Sequence, residues 1–170
     1  MELERFAEIV DDMIVQHDYP GFEPRALRLG LPEDMLRMPA KTYATALGHK
    51  SVYVKLAALR WFQDHSGMAK THLNAIAGLF DSDDEFVRME SVKTAERMND
   101  VPKETQAKMS VLLKDESVEV RKATAKALGK LASKAKQKDP AILASLEEAS
   151  HDVNPEVRMK VQKAIRLIKA

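Results

Sequence analysis

The chain contains no cysteine, which excludes disulfide bridges and thiolate chemistry of every kind and suits a reducing compartment. Glycine is scarce, at 6 of 170 residues, and none of it forms a phosphate-cradling loop. β-Branched runs are equally few, leaving little room for a sheet. No run of 18 apolar residues occurs, and Met1 opens an acidic amphipathic segment without the apolar core of a signal peptide. No membrane contact is expected, and a soluble cytoplasmic protein is the reading. The five histidines are His17, His49, His65, His72 and His151, and no two stand four residues apart as in a helical zinc site. No metal and no cofactor is expected.

What is present is regularity. A valine followed by a base occurs at Val54-Lys55, Val87-Arg88, Val120-Arg121 and Val157-Arg158, with spacings of 33, 33 and 37 residues. Such a period is the signature of stacked helical units. Three residues before each valine stand Ser51, Asp84, Ser117 and Asn154, side chains that can cap a new helix. In the last unit Pro155 follows at once, where its fixed φ suits the first turn.

From each valine, positions four, seven, eight and eleven further on share one helical face. In the third unit they are Thr124, Ala127, Leu128 and Leu131; in the first, Ala58, Trp61, Phe62 and His65; in the last, Val161, Ala164, Ile165 and Ile168. A shorter apolar pattern precedes each cap: Tyr43 and Leu47, Ile76 and Phe80, Met109 and Leu113, Leu146 and Ala149. Each unit therefore reads as a helix, a tight polar turn and a second helix. Helices are expected at about 40 to 47, 52 to 65, 69 to 80, 85 to 98, 103 to 114, 118 to 135, 140 to 149 and 155 to 169. Gly129, inside one of them, costs about 1 kcal/mol against alanine and points to a close approach or a bend.

The turns LLKDESVEVR and LFDSDDEFVR, and the acid six residues before a base in Asp115 to Arg121 and Asp152 to Arg158, resemble the HEAT-like family. The similarity is to the short repeats of phycobilisome lyase-type proteins, over roughly Pro39 to Ala170. Neither the ankyrin turn nor the tetratricopeptide spacing is found. The resemblance implies an all-α, right-handed α-solenoid of about four helical hairpins, with units at 39–67, 68–101, 102–136 and 137–170 of one domain. Residues 1–38 stand outside the register, with Phe6, Ile9, Val10, Met13 and Ile14 at helical spacing. They read as a capping helix followed by a loop and short helices near 24–29 and 32–38. The alternative is a detachable helix for a partner. A His-Asp pair at His17 and Asp18, beside Tyr19 and Phe22, is a minor candidate site. Iron-dependent HEAT hydroxylases would need histidine followed by glutamate, which is absent.

In HEAT-like solenoids the second helices line the concave surface. Six residues after each valine stands a base, Arg60, Lys93, Lys126 and Lys163; two after it stand Leu56, Met89, Lys122 and Met159. Stacking would make one cationic row beside one largely apolar row. The expectation is a non-enzymatic scaffold that binds an acidic or amphipathic protein segment there. A plain solvated helix face accounts for the same pattern. The row Lys55, Arg88, Arg121 and Arg158 is assigned to structure, each base meeting an adjacent turn. Residues 1 to 40 hold nine acids and four bases, whereas 121 to 170 hold five acids and twelve bases. Nucleic-acid binding by the basic C-terminal half is therefore the first alternative, head-to-tail association is open, and an enzyme of the bilin-lyase or DNA-glycosylase type is the second alternative.

Overall fold

A computed structural model describes residues 2–16, 33–135 and 138–170, and among these there is no strand. The helices are α1 (Glu2–Gln16), α2 (Glu33–Leu36), α3 (Ala40–Ala46), α4 (Val52–Asp64), α5 (Ser66–Ala69), α6 (Leu73–Gly78), α7 (Glu85–Arg97), α8 (Lys103–Ser110), α9 (Val118–Lys134), α10 (Pro140–Ala149) and α11 (Pro155–Lys169). Hairpins pair α3 with α4, α6 with α7, α8 with α9 and α10 with α11. The second helices α4, α7, α9 and α11 stack in that order into a continuous layer.

All four predicted caps stand at helix N-termini. Asp84 accepts from the Val87 amide at 3.0 Å, and Asn154 accepts from those of Glu156 and Val157. Ser51 and Ser117 make no such bond. Their own amides are held instead by the residue two before, by His49 Nδ1 at 3.1 Å and Asp115 Oδ1 at 2.9 Å. The helix expected over 69 to 80 is broken. α5 passes through a 3₁₀ turn at Lys70–His72 into α6, which ends in another at Leu79–Asp81. α4 ends at Asp64, within one residue of the expected 65, but His65, expected in the core stripe, is exposed, stacks on Trp61 at 4.1 Å and lies 2.9 Å through Nδ1 from the Trp61 carbonyl.

The anchor valines are fully buried, as are Tyr43, Ile76, Met109 and Leu146 of the first helices. α1 rests on α3 and α4, burying Phe6, Ile9 and Val10, and Thr42 donates to the Glu2 carboxylate at 2.9 Å. α2 falls within the expected 32–38 helix, whereas 24–29 and the His17 to Phe22 site lie outside the described residues.

Candidate interaction face of the second helices

Three contacts show which flank of each second helix meets the next. Gln63 of α4 donates to the Glu90 carboxylate of α7 at 2.7 Å. Lys122 of α9 reaches Glu156 of α11 at 2.5 Å. A Cβ built on Gly129 of α9 would lie 2.6 Å from Cα of Ala164 in α11, so this glycine permits a close approach. Residues two and nine beyond the valine, about 200° and 180° around the helix, thus face the following repeat.

This corrects the expected apolar row. Leu56 and Met89 are only 2% and 9% exposed, because α7 and α9 lie over them. Lys122 is held between Glu119 and Glu156, bonds that raise its pKa. Met159, on α11, is 58% exposed. The sequence period placed these four together; what it missed was that a solenoid helix has neighbours on both flanks.

The row of bases is on the surface but largely paired. Arg60 Nε lies 3.6 Å from Asp64, and Lys93 meets Glu90 at 2.8 Å. Lys126 and Lys130 converge on Glu96 at 3.1 and 3.6 Å. Lys163 is exposed and makes no ion pair among the described residues. Between α7 and α9 a groove of about 340 Å³ is lined by Gln63, Lys93, Glu96, Arg97, Lys126 and Lys130. Arg97 is exposed and unpaired among the described residues. Neither Arg97 nor Lys130 belongs to the periodic row; each became visible only when α7 and α9 were brought side by side. Four bases thus surround one nearly buried acid, Glu96, leaving the groove cationic.

The other basic row is structural at two of its four positions. Arg88 donates through Nη1 to the carbonyls of Ser82 and Asp83, at 2.8 and 3.1 Å, and through Nε and Nη2 to both Asp115 oxygens, at 2.7 and 2.9 Å. Arg121 repeats this with the carbonyls of Asp115 and Glu116 and the carboxylate of Asp152. Each aspartate also accepts the amide two residues on, from Ser117 and Asn154. Burial alone would push Asp115 and Asp152 upward, but these bonds and the second nearby arginine hold both carboxyls below the usual range. Lys55 forms no rung, since Ser82 stands where a carboxylate would be needed, and Arg158 bonds only its own turn. A larger hollow of about 640 Å³ opens between the third and fourth turns beside Val111, His151 and Val153. Its charged floor, Arg121 with Asp152, is already mutually satisfied.

Among the described residues no group of three or more His, Asp or Glu could hold a metal ion, and no helix is long and apolar enough to cross a membrane.

Comparison with known proteins agrees with this architecture. Residues 108–135 match the HEAT repeat model, so the expected HEAT-like repeat is present. No curated protein matches the sequence. Among solved structures, an engineered protein shares 22% identity over 98% of this chain and 81% of its own, with a TM-score of 0.68. Human deoxyhypusine hydroxylase, solved with glycerol, shares 18% over 98% of this chain, with a TM-score of 0.64. A designed armadillo repeat protein in complex with the peptide (KR)4 shares 16% over 98% of this chain and 91% of its own, with a TM-score of 0.56. The chain spans 62% of the hydroxylase's length, and 62% and 64% of two further engineered proteins. At these identities the likeness is one of fold: a helical repeat solenoid.

Proposed function

We propose that this HEAT-like solenoid is a protein-interaction module of the cytoplasm that takes an acidic segment of a partner along its second-helix face, as the concave surface of such arrays would present it. The groove between α7 and α9 carries the reading, with Lys93, Arg97, Lys126 and Lys130 around Glu96. The designed armadillo relative holds a basic peptide. Here the groove is cationic, and the complementary ligand is acidic. Arg60 and Lys163 extend the row on either side. Leu56 and Met89 are buried and do not line the groove, so apolar contact from the partner adds little.

Nucleic acid is the weaker reading, because the bases of the C-terminal half are largely engaged. Lys122, Lys126 and Lys169 pair with acids, and Lys138 donates to the Ile168 carbonyl. Acidic Asp81, Asp83 and Glu85 interrupt the surface upstream. The test is Lys93→Glu with Lys126→Glu, both partly or fully exposed, with helicity and melting checked first. Proteins captured from a lysate by wild type and variant are then compared, and the captured partner is titrated against salt. Loss of an acidic partner by the variant supports the groove. Retention by both removes it, and a steep salt slope with capture of nucleic acid favours the other reading.

A further inference from the structure

Along α4, α7 and α9 the flank described above is covered by the next second helix; along α11 it is bare. Met159 and Leu167 are exposed there, with Lys163 and Arg166 beside them carrying charge that meets no acid among the described residues. The arginine at the foot of this flank is incomplete as well. Arg158 donates through Nη1 to the carbonyls of Asp152 and Val153, at 2.7 and 3.0 Å, as Arg88 and Arg121 do to their own turns. Its Nε and Nη2, which in the two upstream arginines grip a carboxylate, have no partner among the described residues. Chemically the vacant edge is a carboxylate receptor beside a small apolar patch.

The opposite end of the array offers the complement. α1 lies on α3 and α4, the first hairpin, and exposes Glu8, Asp11 and Asp12. Asp11 and Asp12 make no ion pair among the described residues. The turn of that hairpin, by contrast, carries His49 and Lys50 and could not serve as the acid. We propose that the open flank of α11 docks the acidic outer face of α1 from a second copy of the chain, with the free edge of Arg158 taking a carboxylate of Asp11 or Asp12. The contact joins unlike surfaces, so it is head to tail and extends beyond two copies unless it closes into a ring. It rests on charge and weakens with salt.

Sedimentation velocity of the intact chain at rising concentration tests it. The expected result is a weight-average mass that climbs with concentration at low salt and falls back towards one chain in about 1 M salt, where screening reaches to about 3 Å. Two variants should abolish the climb: Asp11→Lys with Asp12→Lys, and Met159→Glu with Arg166→Glu. All four side chains are exposed, and neither variant touches the groove of Lys93 and Lys126. Mixing the two variants should restore association, because each keeps the wild-type end that the other has lost, a rescue that misfolding could not produce. A chain that stays single at every concentration in low salt overturns the proposal. So does association that survives either charge swap, or a mixture that remains monomeric.

Discussion

The first hairpin and the last two are held together by different physics. Around α3 and α4 the joint is aromatic: Tyr43 stacks on Trp61 at 4.2 Å, Trp61 on His65, and Phe6 meets Tyr43 edge-on at 5.2 Å. Burial pushes the Tyr43 hydroxyl up to about 12, and the hydroxyl donates to the Met35 carbonyl. From α7 onward the joint is ionic, a ladder of Arg88 on Asp115 and Arg121 on Asp152. The aromatic end is closed by a helix that belongs to no repeat. The ionic end is made of interchangeable rungs, and its last rung is open.

The largest effect is expected from breaking a rung. Asp152→Ala leaves the Arg121 fork buried and unpaired and removes the acceptor for the Asn154 amide. A cost of about 3 kcal/mol is expected in urea unfolding, because a partner charge is then uncompensated. Arg158→Ala, which breaks no rung, should cost visibly less. Equal losses would mean that the ladder is ornamental.

Acid should separate the two ends. The folded carboxyls of Asp115 and Asp152 titrate below their unfolded values. The stability they lend is therefore complete above about pH 4, the unfolded value, and is lost as pH falls through the folded one. Trp61 is the only tryptophan and sits in the aromatic end. Far-ultraviolet dichroism, which sees every helix, should begin to fall at a higher pH than Trp61 fluorescence changes. Coincident transitions would show that the ends unfold as one unit.

Gly129→Ala probes the joint of α9 with α11. Helix propensity alone favours alanine by about 1 kcal/mol. The added Cβ would meet the Ala164 backbone at 2.6 Å, and overpacking of that kind costs about 1 to 3 kcal/mol. Net destabilisation is expected, read as a lower thermal midpoint.

How far these differences could be read beforehand depends on what each residue answers to. Caps and anchor valines answer to their own helix, so Ser51, Asp84, Ser117, Asn154 and the buried Val54, Val87, Val120 and Val157 stood in the period alone. The role of the Arg88 and Arg121 row also followed, since a base on the edge of a core stripe needs a partner. Leu56 and Met89 answer to the next repeat, and a single-helix projection put them on an open face. The groove around Glu96 answers to two helices at once. Arg97 and Lys130 both stand ten residues after their valines, but Asp64 and Leu167 hold that place in the outer repeats, so only the pairing of α7 with α9 showed that the two bases share one groove.

The smallest expected effect sharpens the comparison most. Lys55→Arg with Ser82→Asp would write the missing rung between the first and second hairpins, at the positions of Arg88 and Asp115. Ser82→Asp alone adds an acid beside Asp81, Asp83 and Asp84 and should destabilise. Lys55→Arg alone finds no carboxylate and should change little. Together they should recover about 1 kcal/mol relative to the sum, a coupling read from a double-mutant cycle in urea. The net gain over wild type stays near zero, because a buried pair roughly repays its own desolvation. A positive coupling would mean that the rung is a portable part of the repeat. Zero coupling would mean that α4 and the turn before α7 stand at a spacing that a guanidinium cannot bridge, so that the two ends differ in geometry as well as in chemistry.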